Sequence, residues 1–484
     1  MKIGFVIGLI GLGLFAGCAV GPDYQRPEVL NSQPLPANFG SPTNEWKIAE
    51  PSAHLPRGTW WLVFQDVELN RLETLLESEN QTLAGVVARF DRARAEFNLA
   101  RADLFPNLDA IGSAARQRTS ANAPQSGKAA GAAHTYNTFA TALTLGWEVD
   151  LWGRVRRESE SARAAYYAVA DDLAAVQLAL QAELAGDYFT LRALDTERAL
   201  VADTIETFRR SLELTRDRRK GGIVSDLDVA QAETQLRTAE AQLPALDLQR
   251  AQLLHALAIL CGQPATTFAV APSSLANVAP PLIPTHLPSE LLERRPDIAA
   301  AERRMAAANA SVGVAQAAFY PRLRLNGLAG FQSVEASSAF NWSSRMWSVG
   351  PSLDLPLFTG GRNRAQLAAT RANYDATVAN YRQTVLNAFA DVEDQLAAQR
   401  LLAAQLEAER AALAAAERTL AIANNRYQAG LVTFLEVATA QSAALQRERT
   451  VAQLEGVQNL VAVGLIRALG GGWDTSQSLA ETKP

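Results

Sequence analysis

The 484 residues carry 45 Lys and Arg against 50 Asp and Glu, a net charge of −5, which excludes the basic excess of a wholesale nucleic-acid binder. Two Cys and four scattered His exclude a disulfide scaffold and argue against a His/Cys metal site. Ordinary mean hydropathy (−0.04) with one short apolar run argues against a helical membrane protein, and abundant Ala with Leu, Glu, Gln and Arg favours long helices.

Lys2 precedes an apolar run from Ile3 to Gly17, too short for the ~20 residues of a bilayer-spanning helix. Such a run reads as a secretory signal peptide. Its end, Phe15-Ala16-Gly17-Cys18, resembles a bacterial lipobox, which makes Cys18 the expected lipid-bearing N-terminus. Ala19 beside it, where Asp is absent, points to the outer membrane by lipoprotein sorting logic.

One Pro-rich segment precedes the helical stretches and another separates them, and the stretches repeat. Pro is concentrated between Pro22 and Pro56 and between Pro264 and Pro288, and is absent from Gln125 to Leu243 and from Leu357 to Lys483. Residues Arg218–Ala232 align with Arg426–Ala440 at an offset of 208, with identity at Arg, Gly, Val, Leu, Val, Ala and Ala. Leu104-Phe105-Pro106 matches Phe319-Tyr320-Pro321, and Asp150-Leu151-Trp152-Gly153-Arg154 resembles Pro356–Arg362. The common order marks an internal duplication. Its period is far longer than a solenoid repeat.

Each half reads as helix, two strands, long helix, tight turn, helix. The spacing predicts these over ~67–105, ~107–119, ~137–149, ~154–220 and ~225–260, then ~289–319, ~322–333, ~345–357, ~363–428 and ~434–469. The long helices carry heptad seams: Tyr166, Val169, Leu173, Val176 and Leu180 in one, and Val229, Leu236, Leu243 and Leu257 beside Ala232, Ala239, Leu246, Leu253 and Leu260 in the next. At ~1.5 Å per residue a helix of ~66 residues reaches ~100 Å and needs parallel neighbours. Pro244 predicts a kink. Ser225 with Asp228, and Thr433 with Glu436, read as capping boxes, and Gly222 and Gly430 sit where left-handed helix ends fall.

In the strands Phe139, Thr141, Leu143, Leu145, Trp147 and Val149 alternate with small or polar residues, as do Trp347, Val349, Pro351, Leu353 and Leu355. Their length and alternation suit a membrane β-barrel with lipid outside and water inside. A half-exposed sheet on a soluble helical domain is the structural alternative. Four strands cannot close a barrel, and lipid tolerates no open edge, so the membrane reading requires oligomerisation; three copies would supply twelve strands.

The chain resembles the bacterial outer-membrane efflux lipoproteins of the TolC-like, NodT type. The resemblance rests on Cys18-Ala19-Val20-Gly21-Pro22-Asp23-Tyr24-x-x-Pro27, on Trp60-Trp61-x-x-Phe64-x-Asp66, and on Leu287-Pro288-Ser289-Glu290-Leu291-Leu292-Glu293-Arg294-Arg295-Pro296-Asp297-Ile298. Both helix-to-strand junctions and both turn motifs add to it. It implies a mainly α chain with a small β part, whose homotrimer forms a 12-stranded transmembrane β-barrel continued by a long periplasmic α-helical barrel. It further implies a passive conduit in a tripartite efflux system for drugs, metals or other small molecules. The partners would be outer-membrane lipids, a periplasmic adaptor and an inner-membrane pump, most often of the resistance-nodulation-division class. No cofactor beyond the lipid on Cys18 and no catalytic step is expected, and no phosphate loop, metal-ligand spacing or nucleophile motif stands in the sequence.

Within the resemblance Arg218, Gly222, Arg426 and Gly430 fall at adaptor-facing hairpin tips, and Leu435 and Thr439 match the constriction positions. Relatives commonly carry Asp where Thr439 stands, so Asp226, Asp228 or Glu436 become alternative sources of negative charge. Helix capping competes for Asp228 and Glu436, and solvated or dipole-facing roles compete for Arg218 and Arg426. Cys261 reads as a buried structural thiol, and Trp60, Trp61 and Phe64 as packing residues. The expected organisation is a signal peptide over 1–17, a lipidated arm over 18–65, a first repeat over 66–262, a Pro-rich equatorial linker over 263–288, a second repeat over 289–470 and a tail over 471–484. The competing functional readings are a type I protein-secretion duct and a pore-less periplasmic coiled-coil scaffold.

Overall fold

The computed structural model describes residues 19–28, 58–121, 133–275 and 294–471. Cys18, the apolar leader and the Leu287–Glu293 part of the Arg-Arg-Pro-Asp motif lie outside the described residues.

Twelve principal elements follow in order: α1 (Val67–Glu79), α2 (Gln81–Ala102), β1 (Asn107–Arg118), β2 (Thr135–Val149), α3 (Arg154–Lys220), α4 (Asp226–Glu240), α5 (Gln242–Leu260), α6 (Pro296–Ala317), β3 (Arg322–Ser333), β4 (Arg345–Asp354), α7 (Arg362–Gln428) and α8 (Phe434–Ala468). Short 3₁₀ turns accompany them, one at Trp60–Phe64. The two 67-residue helices start and stop within a residue or so of the positions read from the sequence.

Two breaks interrupt the expected helices. The first repeat's opening helix is not continuous: Asn80 turns extended (ψ 118°) between α1 and α2. Its side-chain amide donates to the Leu260 carbonyl at 2.7 Å, while its oxygen accepts from the Leu83 N–H at 2.8 Å and caps α2. The second break lies at Ala241, between α4 and α5, three residues before Pro244, which has no N–H to offer the preceding turn. The equivalent position of the second repeat is Ala452, and α8 runs through it unbroken.

The chain divides into two compact units. The first takes in residues 19–28, 90–170 and 300–381 of the described chain. It holds all four strands, hydrogen-bonded antiparallel in the order β1-β2-β3-β4, so that β2 and β3 join the two repeats. The register places Leu108 opposite Leu145, Leu145 opposite Gly327 and Gly327 opposite Val349. Every bulky apolar position of the alternation therefore falls on one face: Leu143, Leu145, Trp147, Leu325, Trp347, Val349 and Leu353 share it. Asp109, Thr144, Glu148, Arg324, Asn326 and Ser352 share the other. The apolar face is bare, with Trp347 74% exposed and Leu353 66%.

The N-terminal arm lies along this same unit. The Val20 N–H donates to the Trp152 carbonyl at 2.9 Å, and Asp23 pairs with Arg157 at 2.7 Å. The Arg26 guanidinium meets Glu302 at 3.4 Å and donates to the Tyr381 hydroxyl at 3.2 Å. Gly21 has φ +113°, and a Cβ there would stand 2.5 Å from Gly313 Cα, so the Gly-Pro-Asp-Tyr run is a docking sequence that only glycine opens.

The second unit takes in residues 58–89, 171–275, 294–299 and 382–471 of the described chain. Trp60, Trp61 and Phe64 pack with Leu69, Leu72, Leu76, Leu184, Phe189, Leu257 and Cys261 in one core, as packing residues should. Asp66 caps α1, accepting from the Glu68 and Leu69 N–H groups at 2.9 and 3.0 Å and from the Tyr188 hydroxyl at 2.6 Å. Arg295, ahead of Pro296 at the start of α6, pairs with Asp297 (2.7 Å) and Asp391 (3.1 Å) and donates to the Ala468 carbonyl at 3.0 Å. The Arg-Arg-Pro-Asp motif thereby ties α6 to α7 and to the end of α8. A second core collects heptad positions Ala232, Leu236, Ala239 and Leu246 with Phe208, Leu212, Tyr427, Phe434 and Val437.

Candidate functional site: the paired helical tips

Both tips lie in the second unit, where α3 turns into α4 and α7 turns into α8. Each long helix ends in a left-handed glycine, Gly222 at φ +77° and Gly430 at φ +72°. The Ile223 N–H reaches back to the Arg218 carbonyl at 2.9 Å, and the Leu431 N–H to the Arg426 carbonyl at 2.9 Å. These are equivalent Schellman closures that satisfy the last carbonyls of each helix.

The N-caps differ. Ser225 and Asp228 form the full reciprocal box: the Asp228 carboxylate accepts from the Ser225 N–H at 2.9 Å and hydroxyl at 2.7 Å. Burial pushes the Asp228 carboxyl up, but the bonds from Ser225, from Phe434 and from its own N–H outweigh it and hold the group below its ordinary value. Thr433 and Glu436 form no box, contrary to expectation. Glu436 is drawn instead to Arg426, 3.6 Å away across the turn, and the Phe434 N–H is taken by Asp228 Oδ1 of the other tip at 3.4 Å.

At the next pair of equivalent positions, Arg219 and Asp226 close the first tip as a two-pronged ion pair at 2.7 and 2.8 Å. The Arg219 hydrogen bond and charge lower the Asp226 pKa. Tyr427 and Phe434 close the second tip as an edge-on aromatic pair, centroids 5.6 Å apart at 68°. One duplicated frame thus uses electrostatics in one tip and apolar contact in the other.

Arg218 joins the two tips. Its Nη1 donates to the Tyr427 carbonyl at 3.2 Å, and its guanidinium sits 4.8 Å from the centre of the Tyr427 ring. With the Asp228–Phe434 contact, side chains of the first tip reach twice onto the backbone of the second. Tyr427, Phe434 and Arg219 are turn-closing positions that the motif comparison passed over. The signal was present: at an offset of 208 they stand against Arg219, Asp226 and Tyr427 respectively.

Leu435 and Thr439 lie one turn apart and exposed on α8, Leu435 at 55%, with the Thr439 hydroxyl donating to the Leu435 carbonyl at 2.8 Å. Ile223, Leu227 and Leu431 add exposed apolar side chains to the tips. The structure therefore brings Arg218, Gly222, Asp226, Asp228, Arg426, Gly430 and Glu436 into one bonded cluster around the turns, and leaves Leu435 and Thr439 outward-facing. Among the described residues no group of His, Cys, Asp or Glu is arranged to hold a metal ion.

Residues 73–263 and 287–471 match the family model described as outer membrane efflux protein. Outer membrane protein OprJ of Pseudomonas aeruginosa is 34% identical over 478 residues, covering 97% of this chain and 96% of OprJ. Probable outer membrane lipoprotein SilC of Salmonella typhimurium is 30% identical, covering 95% of this chain and 97% of SilC. Cation efflux system protein CusC of Escherichia coli is 30% identical, covering 94% and 96%. Among solved structures, the outer-membrane channel OprN superimposes with a TM-score of 0.82 at 32% identity, covering 94% of this chain and all of that one. With its duplicated helical frame, four-stranded sheet and paired tips, this chain belongs to the outer membrane efflux protein family.

Proposed function

We propose that this protein is the outer-membrane channel of a tripartite efflux system, a homotrimer that conducts drugs, metals or other small molecules outward. It works as a passive conduit, without a chemical step of its own. The observation that carries this reading is the sheet: one mostly apolar face, one mostly polar face, and two edge strands, β1 and β4, that each pair on one side only among the described residues. Lipid accepts such a face but not such edges, and closure with further copies satisfies both conditions.

The arm supports an anchor on Cys18. Ala19 is packed at Gly153, just past the end of β2, so a lipid on the preceding residue would start beside the end of the sheet. The likeness to a relative named as a probable lipoprotein agrees with this. The tips, with Arg218, Gly222, Arg426 and Gly430 at their turns and Ile223 and Leu431 exposed, suit a periplasmic adaptor that couples to an inner-membrane pump of the resistance-nodulation-division class. Leu435 and Thr439 form the constriction, with Asp226, Asp228 and Glu436 behind it. The leader over 1–17, the arm over 18–65, the repeats over 66–262 and 289–470, the linker over 263–288 and the tail over 471–484 are the working divisions.

Membrane fractionation of cells fed radiolabelled palmitate tests this directly. Label on a trimer in the outer-membrane fraction, lost in Cys18→Ser, is the expected result. An unlabelled monomer in the soluble periplasm would overturn it.

A further inference from the structure

The duplication and the sheet register together specify the join between copies. Within one chain the repeats meet at β2 and β3, where Phe139–Val149 lies antiparallel to Leu323–Ser333. The same join, repeated between copies, requires β4 in the place of β2 and β1 of the next copy in the place of β3. Both strands are free on that side among the described residues, β1 is exposed along its whole length, and both belong to one compact unit.

Two offsets convert one join into the other. Pro106 and Pro321, which open β1 and β3, differ by 215. Arg154 and Arg362, which open α3 and α7, differ by 208, as do the tips. The hairpins check this choice. Asn107 pairs with Gly146, and shifting them by 215 and 208 gives Arg322 with Asp354, the pair that β3 and β4 form.

We propose that β4 pairs antiparallel with β1 of the adjacent copy in this transferred register, Trp347–Asp354 against Ile111–Arg118, with Leu353 opposite Gly112 and Gly350 opposite Ala115. The inference rests on the trimer proposed above. Side-chain size supports it independently. Within the chain Leu145 lies opposite Gly327, and in the transferred register Leu353 meets Gly112, again Leu against Gly. Ala142 lies opposite Gly330, where a Cβ on the glycine would stand 2.6 Å from the Ala142 Cβ; the transferred pair is Gly350 and Ala115, the same two small residues exchanged. A slip of two residues one way sets Pro351 against Gly112 and Ser348 against Ala115 and loses both matches; a slip of two the other way sets Leu355, past the end of β4, against Gly112, and Ser352 against Ala115, which loses the small-residue match. A slip of one would turn the apolar face of β4 toward the polar face of β1.

Oxidative cross-linking in isolated membranes tests the register, because cysteines bridge only when their Cα atoms lie within about 7 Å. Leu353→Cys with Gly112→Cys, and on the opposite face Gly350→Cys with Ala115→Cys, should each yield covalently linked trimers in the full-length protein. The slipped pair Pro351→Cys with Gly112→Cys should yield at least tenfold less. Cross-linking by the slipped pair and not by the other two would overturn the register while leaving β4 beside β1. A trimer by mass that none of the pairs links would overturn the join and leave the trimer standing. A monomer by mass would remove both. Two pairs on opposite faces guard against one double variant failing to assemble.

Discussion

At the tips, single side chains decide what the turns can do. Asp228 is both the third-position partner of Ser225 in the capping box of α4 and the acceptor for the Phe434 N–H, and its carboxyl is held below the ordinary range. A depressed carboxylate pKa adds stability that is present above the unfolded value of ~3.9 and lost as pH falls through the folded one. Hydrogen-exchange protection at Ser225 and Phe434, corrected for intrinsic rates, should therefore be flat from neutral pH down to about 4 and fall below it. Asp228→Ala should weaken it by about 1 kcal/mol with no acid transition left. Equal acid transitions in both proteins would remove Asp228 from the cap. Among the described residues the Thr439 hydroxyl bonds only to its own helix, and the side chain is exposed. Thr439→Asp should raise the cation-to-anion permeability ratio in planar bilayers, and unchanged selectivity would take Thr439 out of the constriction. The glycine ends and the first capping box were readable because φ and side-chain chemistry are local. The failure of the second box was not, because Arg426 competes for the Glu436 carboxylate across the turn.

Among the elements, strands and long helices were legible where one period persists: alternation for the sheet, heptads for α3, α4 and α5. Breaks set by tertiary contact were not. Asn80 ends α1 because Leu260 and Leu83 answer both ends of its amide, and nothing near Asn80 in sequence announces Leu260. Pro244 was different, since its missing N–H breaks a helix in any setting. Helix α1 hides a group that its period disguises. Glu73 sits among Leu69, Leu72 and Leu76, fully buried, with neither carboxyl oxygen partnered among the described residues. Burial, aided by Glu77, pushes its pKa up to about 9, so it is neutral at pH 7. Its contribution is present below the unfolded value of ~4.3 and erodes as pH rises toward the folded one. Glu73→Gln should leave the unfolding midpoint nearly unchanged at pH 4 and raise it progressively above wild type toward pH 9. A constant difference across that range would show that Glu73 does not titrate in the folded protein.

For the molecule as a whole, the sheet and the tips divide the work. The sheet supplies an apolar face that water penalises at ~25 cal/mol per Å² and edges that call for neighbours. The tips supply a bonded cluster that fixes two turns and leaves Leu435 and Thr439 exposed. The family was legible from short motifs whose reasons are now physical: Gly21 opens the docking of the arm, Asp66 caps α1, and Arg295 ties three helices. The sequence stated the strand faces but not their common register, which backbone pairing alone defines. The central claim is that this chain forms a gated duct, and single-channel recording tests it most directly. Detergent-extracted trimers in a planar bilayer should conduct in small, mostly closed steps, and truncating Leu435 and Thr439 to Gly should enlarge them. A stable trimer that never conducts, even so truncated, would contradict the duct.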